Sequence, residues 1–368
     1  MNRDGVLIAG GGTAGHLIPG LAIAKALVHR GWARDDVHFV GSVHGMESDL
    51  VPAGGFGLTV LSGRGLNGRR LTVANLKNAL GILVACVRAV ALVRRARPRL
   101  VVSLGGYAAL PASLAAVLCR VPLIVAEQNA VASMSNRLVG RWAKAASVPV
   151  SGTGLRREVV TGNPVRPEVV KGAEMEQSEA RRAMGWPSQG RVLLVFGGSL
   201  GSLRINQAVW GAIESLEGRV FVHHVVGHRD WAERPSMGPG ADAYRAVEYE
   251  NDLPMAMAGA DLAVCRSGGS TVSELAVIGL PAVLVPLPRA PNDHQRANAR
   301  ALELAGGAVV VDDADFDSDR LVGEVGSMLG RDLPGQGAAL RNVGHPDASE
   351  RVVDLIETYA KPNPGASS

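Results

Sequence analysis

Short apolar runs punctuate this chain, each followed by a stretch of helix length. In the first half they are Val6–Ala9, Val37–Val40, Leu58–Leu61, Leu100–Leu104, Leu123–Ala126 and Ala146–Val150. In the second half they are Val192–Phe196, Val220–Val226, Tyr244–Val247, Leu262–Cys265, Ala282–Val285 and Ala308–Val311. Most of these runs are apolar throughout rather than alternating, which predicts strands covered on both faces. With helix-length connections, that is the signature of parallel sheets in α/β domains. Gly162-Asn163-Pro164 interrupts the pattern near the middle and reads as the hinge between two such domains. Residues 362–368 read as a frayed tail.

Two of the runs end in glycine-rich turns that open a helix. One is Gly10-Gly11-Gly12-Thr13-Ala14-Gly15-His16; the other is Gly197-Gly198-Ser199-Leu200-Gly201-Ser202. Strand, glycine turn and helix start together bare backbone N–H groups and aim a helix dipole at one spot, a setting made for phosphate. One turn in each half predicts two phosphate-handling Rossmann-like domains. A nicotinamide dinucleotide fits poorly, because its ribose needs an acid at the tip of the second strand. Here that strand runs into Gly41-Ser42-Val43-His44.

Candidate chemistry gathers at the predicted carboxyl ends of the strands. His16 lies just inside the first helix, where the dipole disfavours an imidazolium, and so reads as a proton acceptor; the plainer reading is a histidine that bonds the loop. Gly105-Gly106-Tyr107 forms a further anion-ready turn, and Glu127-Gln128-Asn129 puts a carboxylate and two amides at the next strand end. Glu127 reads alternatively as the cap of a neighbouring helix. In the second half, Ser267-Gly268-Gly269-Ser270 makes a small-residue nest at a helix start. Glu274, about one turn on, is placed to hold ribose hydroxyls. The polar cluster Asn292–Asn298 has the side chains needed to read a sugar. Asp293 and His294 find no third partner for a metal. The acids of Asp312–Asp319 lack the loop glycine of a calcium site and read as caps for a helix starting near Asp319.

Charge adds a second division. Residues 1–150 carry seventeen Lys/Arg against six Asp/Glu, while the remainder carries twenty-one against twenty-eight. Between Leu50 and Ala126 there are ten basic residues and no acid. Such asymmetry predicts that the first half meets something anionic, either nucleic acid or a lipid surface. Aromatics at 4% argue against base stacking. Leu71–Arg97 is helical in composition and almost wholly apolar between Ala79 and Val93, with Lys77, Arg88, Arg94, Arg95 and Arg97 around it. Charges at 77 and 88 deny it the roughly 18 apolar residues of a membrane span. It reads as a helix buried against the first sheet, as a segment resting on a membrane surface, or as both on different faces. Three widely spaced cysteines, Cys86, Cys119 and Cys265, fit a reducing cytosol, and the N-terminus reads without a secretory signal.

The ordered set Gly11–His16, Gly105–Tyr107, Glu127–Asn129, Gly162-Asn163-Pro164-Val165-Arg166, Gly197–Ser199, Cys265–Gly268 with Glu274, and Asp293–Gln295 resembles the MurG-type peptidoglycan glycosyltransferases of family 28. The resemblance runs from about residue 6 to 311. It implies the GT-B fold, two Rossmann-like doubly wound domains separated by a deep cleft. The domains would be 1–162, for acceptor and membrane, and 163–346, for UDP-GlcNAc, with a helix at 347–361 crossing back to the first. It implies an inverting transfer of GlcNAc from UDP-GlcNAc to the 4-hydroxyl of MurNAc in lipid I, giving lipid II with a β-1,4 link. His16 would be the general base, with Glu127 in reserve. Gly11, Gly12, Thr13, Gly105, Gly106 and Tyr107 would hold the acceptor diphosphate. Thr13, Gly15, Asn129, Arg166, Ser199, Ser267, Gly268, Glu274, His294 and Gln295 would serve the donor. No metal or other cofactor and no nucleic acid is expected. An anionic membrane surface would meet segment 64–99, placing the protein peripherally on the cytoplasmic face of the membrane. The chain departs from the family at Leu200, where glutamine is common, and carries Ala108-Ala109, without a hydroxyl, where small or hydroxyl residues are common.

Overall fold

The computed structural model describes residues 5–42, 45–61, 73–198, 200–236 and 243–360, with residues 73–80 and 82 as backbone only. The chain divides into two compact units. One holds the residues up to Arg166 together with those from Asp347 onward; the other is Pro167–Pro346.

The first unit is built on seven strands: β1 Val6–Ala9, β2 Val37–Ser42, β3 Gly57–Leu61, β4 Leu100–Ser103, β5 Leu123–Ala126, β6 Ala145–Val148 and β7 Glu158–Val160. They lie in the order β3-β2-β1-β4-β5-β6-β7, all parallel, with Val6 beside both Val37 and Leu100. The second unit carries β8 Val192–Phe196, β9 Phe221–Val225, β10 Tyr244–Val247, β11 Leu262–Cys265, β12 Ala282–Leu284 and β13 Ala308–Val310. Their order, β10-β9-β8-β11-β12-β13, repeats the first six places of the other sheet and is again parallel. In each sheet the winding reverses beside the first strand, between β1 and β4 and between β8 and β11. At such a reversal the connections leave in opposite directions and open a crevice at the carboxyl ends of the strands.

The apolar runs earn their burial on both faces. Val6 and Ile8 of β1 pack with Leu17, Ile23 and Leu27 of the helix Ala14–His29, whereas Leu7 and Ala9 pack with Ala85, Ala89 and Val93 of the helix Val73–Ala96. Each large buried side chain contributes roughly 1.5–3 kcal/mol. The closing helix Ala348–Tyr359 belongs to the first of these layers, where Val352, Val353 and Ile356 are fully buried. Its acidic face, Glu350, Asp354 and Glu357, meets the Arg30 guanidinium at 3.2, 2.6 and 2.9 Å.

Strand β7 falls outside the predicted set. Its three residues are half-exposed or exposed at the sheet edge, so no apolar run marks it. Glu158 instead folds back onto the amides of Gly152, Gly154 and Leu155 and the Thr153 hydroxyl. Burial works to raise its pKa, but these donors prevail and hold it below the usual carboxylate value.

Candidate functional site

In the first unit both glycine turns flank the reversal point. The Gly10 amide donates to Val40 O at 3.0 Å and the Leu104 amide to Ala9 O at 2.8 Å, so the turns extend β1 and β4. A Cβ at Gly10 would come within 2.6 Å of the Leu104 Cβ, which is why the two turns can lie this close. The helices that follow start without side-chain caps: Thr13 and Gly105 make no capping bond, and neither first turn holds an acid. The positive dipole ends of both helices therefore lie at the strand ends.

His16 is half-buried at this point, and its tautomer follows from its neighbour. The Gln128 amide nitrogen donates to Ala126 O at 2.6 Å, which turns Gln128 Oε1 toward His16 Nδ1, also at 2.6 Å. Oε1 only accepts, so Nδ1 carries the hydrogen and Nε2 keeps the lone pair. A Cβ at Gly106 would sit 3.6 Å from that nitrogen, so glycine there leaves it room. One ring nitrogen of His16 is thus engaged by Gln128 of the turn after β5, and the other keeps its lone pair.

Glu127 takes a different part from the reserve base expected of it. It is 1% exposed, and its oxygens accept from the amides of Gln128, Asn129 and Ser133 and from the side chains of Asn129 and Asn136. A carboxylate saturated by five donors organises the turn 127–136 and has no lone pair aimed outward.

An acid absent from the predicted set lies under the first loop. Glu47 is fully buried; Oε2 accepts from the Gly12 amide at 2.9 Å, and Oε1 accepts from the Ser42 amide at 2.7 Å and hydroxyl at 3.0 Å. Ser42 Oγ in turn lies 3.1 Å from the Tyr107 hydroxyl. A Cβ at Gly41 would come within 2.6 Å of Glu47 Cγ, so the glycines around it make the space for this carboxylate. The signal available in the sequence was Gly41 and Gly45 close to an acid.

In the second unit, Ser199 lies outside the described residues. The rest of its loop is fastened from behind by Arg266, whose Nη2 reaches Ser202 Oγ at 2.7 Å and Asp313 at 2.6 Å, while Nη1 donates to Val285 O and Pro286 O, both at 3.1 Å. One guanidinium so joins the exits of β8, β11 and β12. Asp313 and Asp312, read earlier as caps, pair instead with Arg266 and Arg296; Asp317 caps the helix Ser318–Leu329. At the start of the helix Gly269–Ile278, Ser267 is fully buried and its hydroxyl meets no protein partner. Gly268 is the uncapped N-cap, and Glu274 is buried one turn further. Gln295 accepts from the Leu287 amide at 2.8 Å and His294 Nδ1 bonds Pro291 O at 2.8 Å, which gathers the predicted sugar-reading residues behind β12. Behind the loop, Asn206 donates to Val226 O and Asp230, and Arg229 reaches Gly201 O.

Thr13, Gly15, Asn129 and Arg166, expected to serve the donor, all belong to the first unit. Among the described residues no three His, Cys, Asp or Glu side chains converge as metal ligands, and none of the helices is long and apolar enough to cross a membrane. The three cysteines are free.

Two parallel sheets of one strand order, each with a glycine turn after its first strand, define a protein of two Rossmann-like halves. The chain belongs to glycosyltransferase family 28: the N-terminal domain of that family matches residues 6–148 and the C-terminal domain matches residues 192–352. It is 35% identical to a protein of Desulforudis audaxviator (strain MP104C) over 96% of this chain and 98% of the relative. It is 38% identical to one of Mycobacterium sp. (strain JLS) over 97% of this chain and 96% of the relative. Both are named UDP-N-acetylglucosamine–N-acetylmuramyl-(pentapeptide) pyrophosphoryl-undecaprenol N-acetylglucosamine transferase. The crystal structure of Acinetobacter baumannii MurG matches with a TM-score of 0.77 and 28% identity, over 97% of this chain and all of that one. A Staphylococcus aureus MnaA–UDP structure shares the fold, with a TM-score of 0.67 at 16% identity over 97% of this chain and 96% of that one.

Proposed function

We infer that this protein transfers GlcNAc from UDP-GlcNAc to the 4-hydroxyl of MurNAc in lipid I, forming the β-1,4 link of lipid II with inversion. The observation that carries the reading is His16, held by Gln128 with its lone pair on Nε2, in a chain whose relatives over nearly full length are named for this reaction. Inversion is a single in-line displacement. His16 Nε2 takes the hydroxyl proton as the oxygen attacks the anomeric carbon, and the bond to UDP breaks on the opposite side.

The second unit serves the donor. The Ser267 hydroxyl and the N-terminus at Gly268 are suited to the departing diphosphate, Glu274 to the ribose, and His294 and Gln295 to the sugar. Ser199, from its own loop, joins these groups, and Thr13, Gly15, Asn129 and Arg166 of the first unit stay proposed as donor contacts. These groups supply the leaving-group stabilisation that a metal gives elsewhere, so turnover should survive a chelator. The first unit serves the acceptor, with the uncapped turn Gly105-Gly106 and the outer edge of Gly11–Thr13 toward the lipid-linked diphosphate. Glu127 positions Asn129 rather than moving a proton.

The membrane reading rests on the helix Val73–Ala96. Its buried side carries Ala85, Ala89, Val93 and Ala96, while Leu83, Val84 and Val87 are exposed at 60%, 41% and 64% near Arg88, Arg94 and Arg95. An apolar strip flanked by cations suits an anionic bilayer surface. Residues 64–72 of the segment lie outside the described residues. Association at the cytoplasmic face, where lipid I is presented to UDP-GlcNAc, follows. The deciding experiment is radiolabel transfer from UDP-GlcNAc to a lipid I analogue, with other UDP-sugars as controls. Transfer confined to UDP-GlcNAc supports the reading, and none with the analogue overturns it.

A further inference from the structure

The acid beneath the first glycine loop has a use beyond shape, because hydrogen bookkeeping gives its contacts a direction. A carboxylate only accepts. Glu47 therefore receives the Gly12 amide on Oε2, and both the amide and the hydroxyl of Ser42 on Oε1. Ser42 has one hydroxyl hydrogen. The charged acceptor claims it, since charge-assisted bonds are roughly twice as strong as neutral ones. The 3.1 Å contact between Ser42 Oγ and Tyr107 must then be made with the phenolic hydrogen. Tyr107 too has only one. Its oxygen is left with lone pairs alone toward the outside, on a side chain that is 39% exposed and lies against Gly12.

We propose that Glu47 is a positioning residue that, through Ser42, sets Tyr107 to accept a hydrogen bond from a neutral O–H or N–H group of the acceptor substrate. The proposal rests on reading the first unit as the acceptor side. It changes what that side does. A phenol oxygen offering only lone pairs repels phosphate oxygens, so the diphosphate is left to the backbone turn Gly105-Gly106, and Tyr107 reads the sugar or peptide. The Gly12 amide, spent on Glu47, fixes the loop that carries His16 instead of binding an anion.

The test is a double-mutant cycle on the full chain with a short-chain lipid I analogue, read by steady-state kinetics and by calorimetric binding of the analogue. Glu47→Gln keeps the size of the side chain, but its single oxygen can serve only one of the two sides. It should raise the KM and Kd for the analogue about tenfold, the loss of one hydrogen bond, and leave the KM for UDP-GlcNAc within about twofold. Tyr107→Phe should do the same. Combining them should add no more than about a further twofold, because one route is being cut twice. Should Glu47→Gln fail to fold, Ser42→Ala takes its place in the cycle, and Ser42→Thr, which keeps the hydroxyl, should restore binding. Losses that multiply in the double variant, or that fall equally on UDP-GlcNAc, would overturn the relay. Calorimetry separates the two readings: a wild-type chain that binds the analogue through Tyr107 and Glu47 but transfers nothing keeps the relay and sinks the transferase assignment.

Discussion

The two glycine loops occupy the same place in two sheets of the same strand order, yet they are braced by opposite charges. Beneath Gly10–Gly12 lies the Glu47 carboxylate, bonded to the Gly12 amide. Behind Gly197–Ser202 lies the Arg266 guanidinium, bonded to the Ser202 hydroxyl. An internal anion quenches part of the positive field of the first loop; an internal cation adds to that of the second. One architecture is thereby divided into two loops of different electrostatic character. The brace distinguishes them.

The largest effect that would break this division is expected at His16. His16→Ala should lower kcat for GlcNAc transfer about a thousandfold, the usual span for a general base, with UDP binding by calorimetry unchanged. A variant that kept nearly full turnover would return the first loop to a purely structural part. Next comes the opposite brace. Arg266→Met leaves Asp313, two carbonyls and Ser202 without their partner, which should cost the second unit about 3 kcal/mol. It should also weaken UDP binding about tenfold while acceptor binding holds. Equal losses on both substrates would mean that the brace serves stability alone.

A third test sharpens the comparison through pH. His224, behind the second loop, donates from Nε2 to Asn206 Oδ1 and accepts at Nδ1 from the Tyr244 hydroxyl. Burial, helped by repulsion from His223, pushes its pKa down from 6.5 to about 3. The unfolded chain takes a proton near pH 6.5 and the folded one refuses it until about 3. Stability present above pH 6.5 is therefore lost as the pH falls toward 3. His224→Gln should flatten the fall in Tm of the second unit over that window, and an unchanged slope would exclude the histidine as its source. The smallest effect is expected at Arg30, whose three ion pairs with the closing helix are solvent-exposed. Arg30→Met should barely move the Tm measured in physiological salt; a large drop would mean that charge rather than the Val352, Val353 and Ile356 contacts holds the helix down.

Most of the fold was legible because parallel strands buried on both faces leave unbroken apolar runs. The central strands announce themselves in that way; the end strands β3 and β10 are partly exposed and show only a weaker apolar run, and β7, at the other edge of the first sheet, shows none. The site was legible where chemistry is local: His16 and Gly105–Tyr107 stand beside the strands that position them. It was illegible where partners converge from a distance. Glu47 meets Gly12 from 35 residues away and Tyr107 only through Ser42. Arg266 was visible only as a neighbour of Ser267, because Ser202, Val285 and Asp313 come to it from three separate strand exits. Glu127 had two readings, reserve base or cap of a neighbouring helix, and its bonds to the Ser133 amide and Asn136 at the start of helix Met134–Gly140 favour the second.

The closing helix has a consequence for how this protein is made. Val352, Val353 and Ile356 complete a core begun by Val6 and Ile8, so two pieces of one hydrophobic layer leave the ribosome with the whole second unit between them. The intervening unit, Pro167–Pro346, is contiguous and can finish folding while the earlier one still waits for its final helix. A message cut short before Asp347 would thus yield a finished second unit attached to a first unit with an open flank, the form a protease removes first.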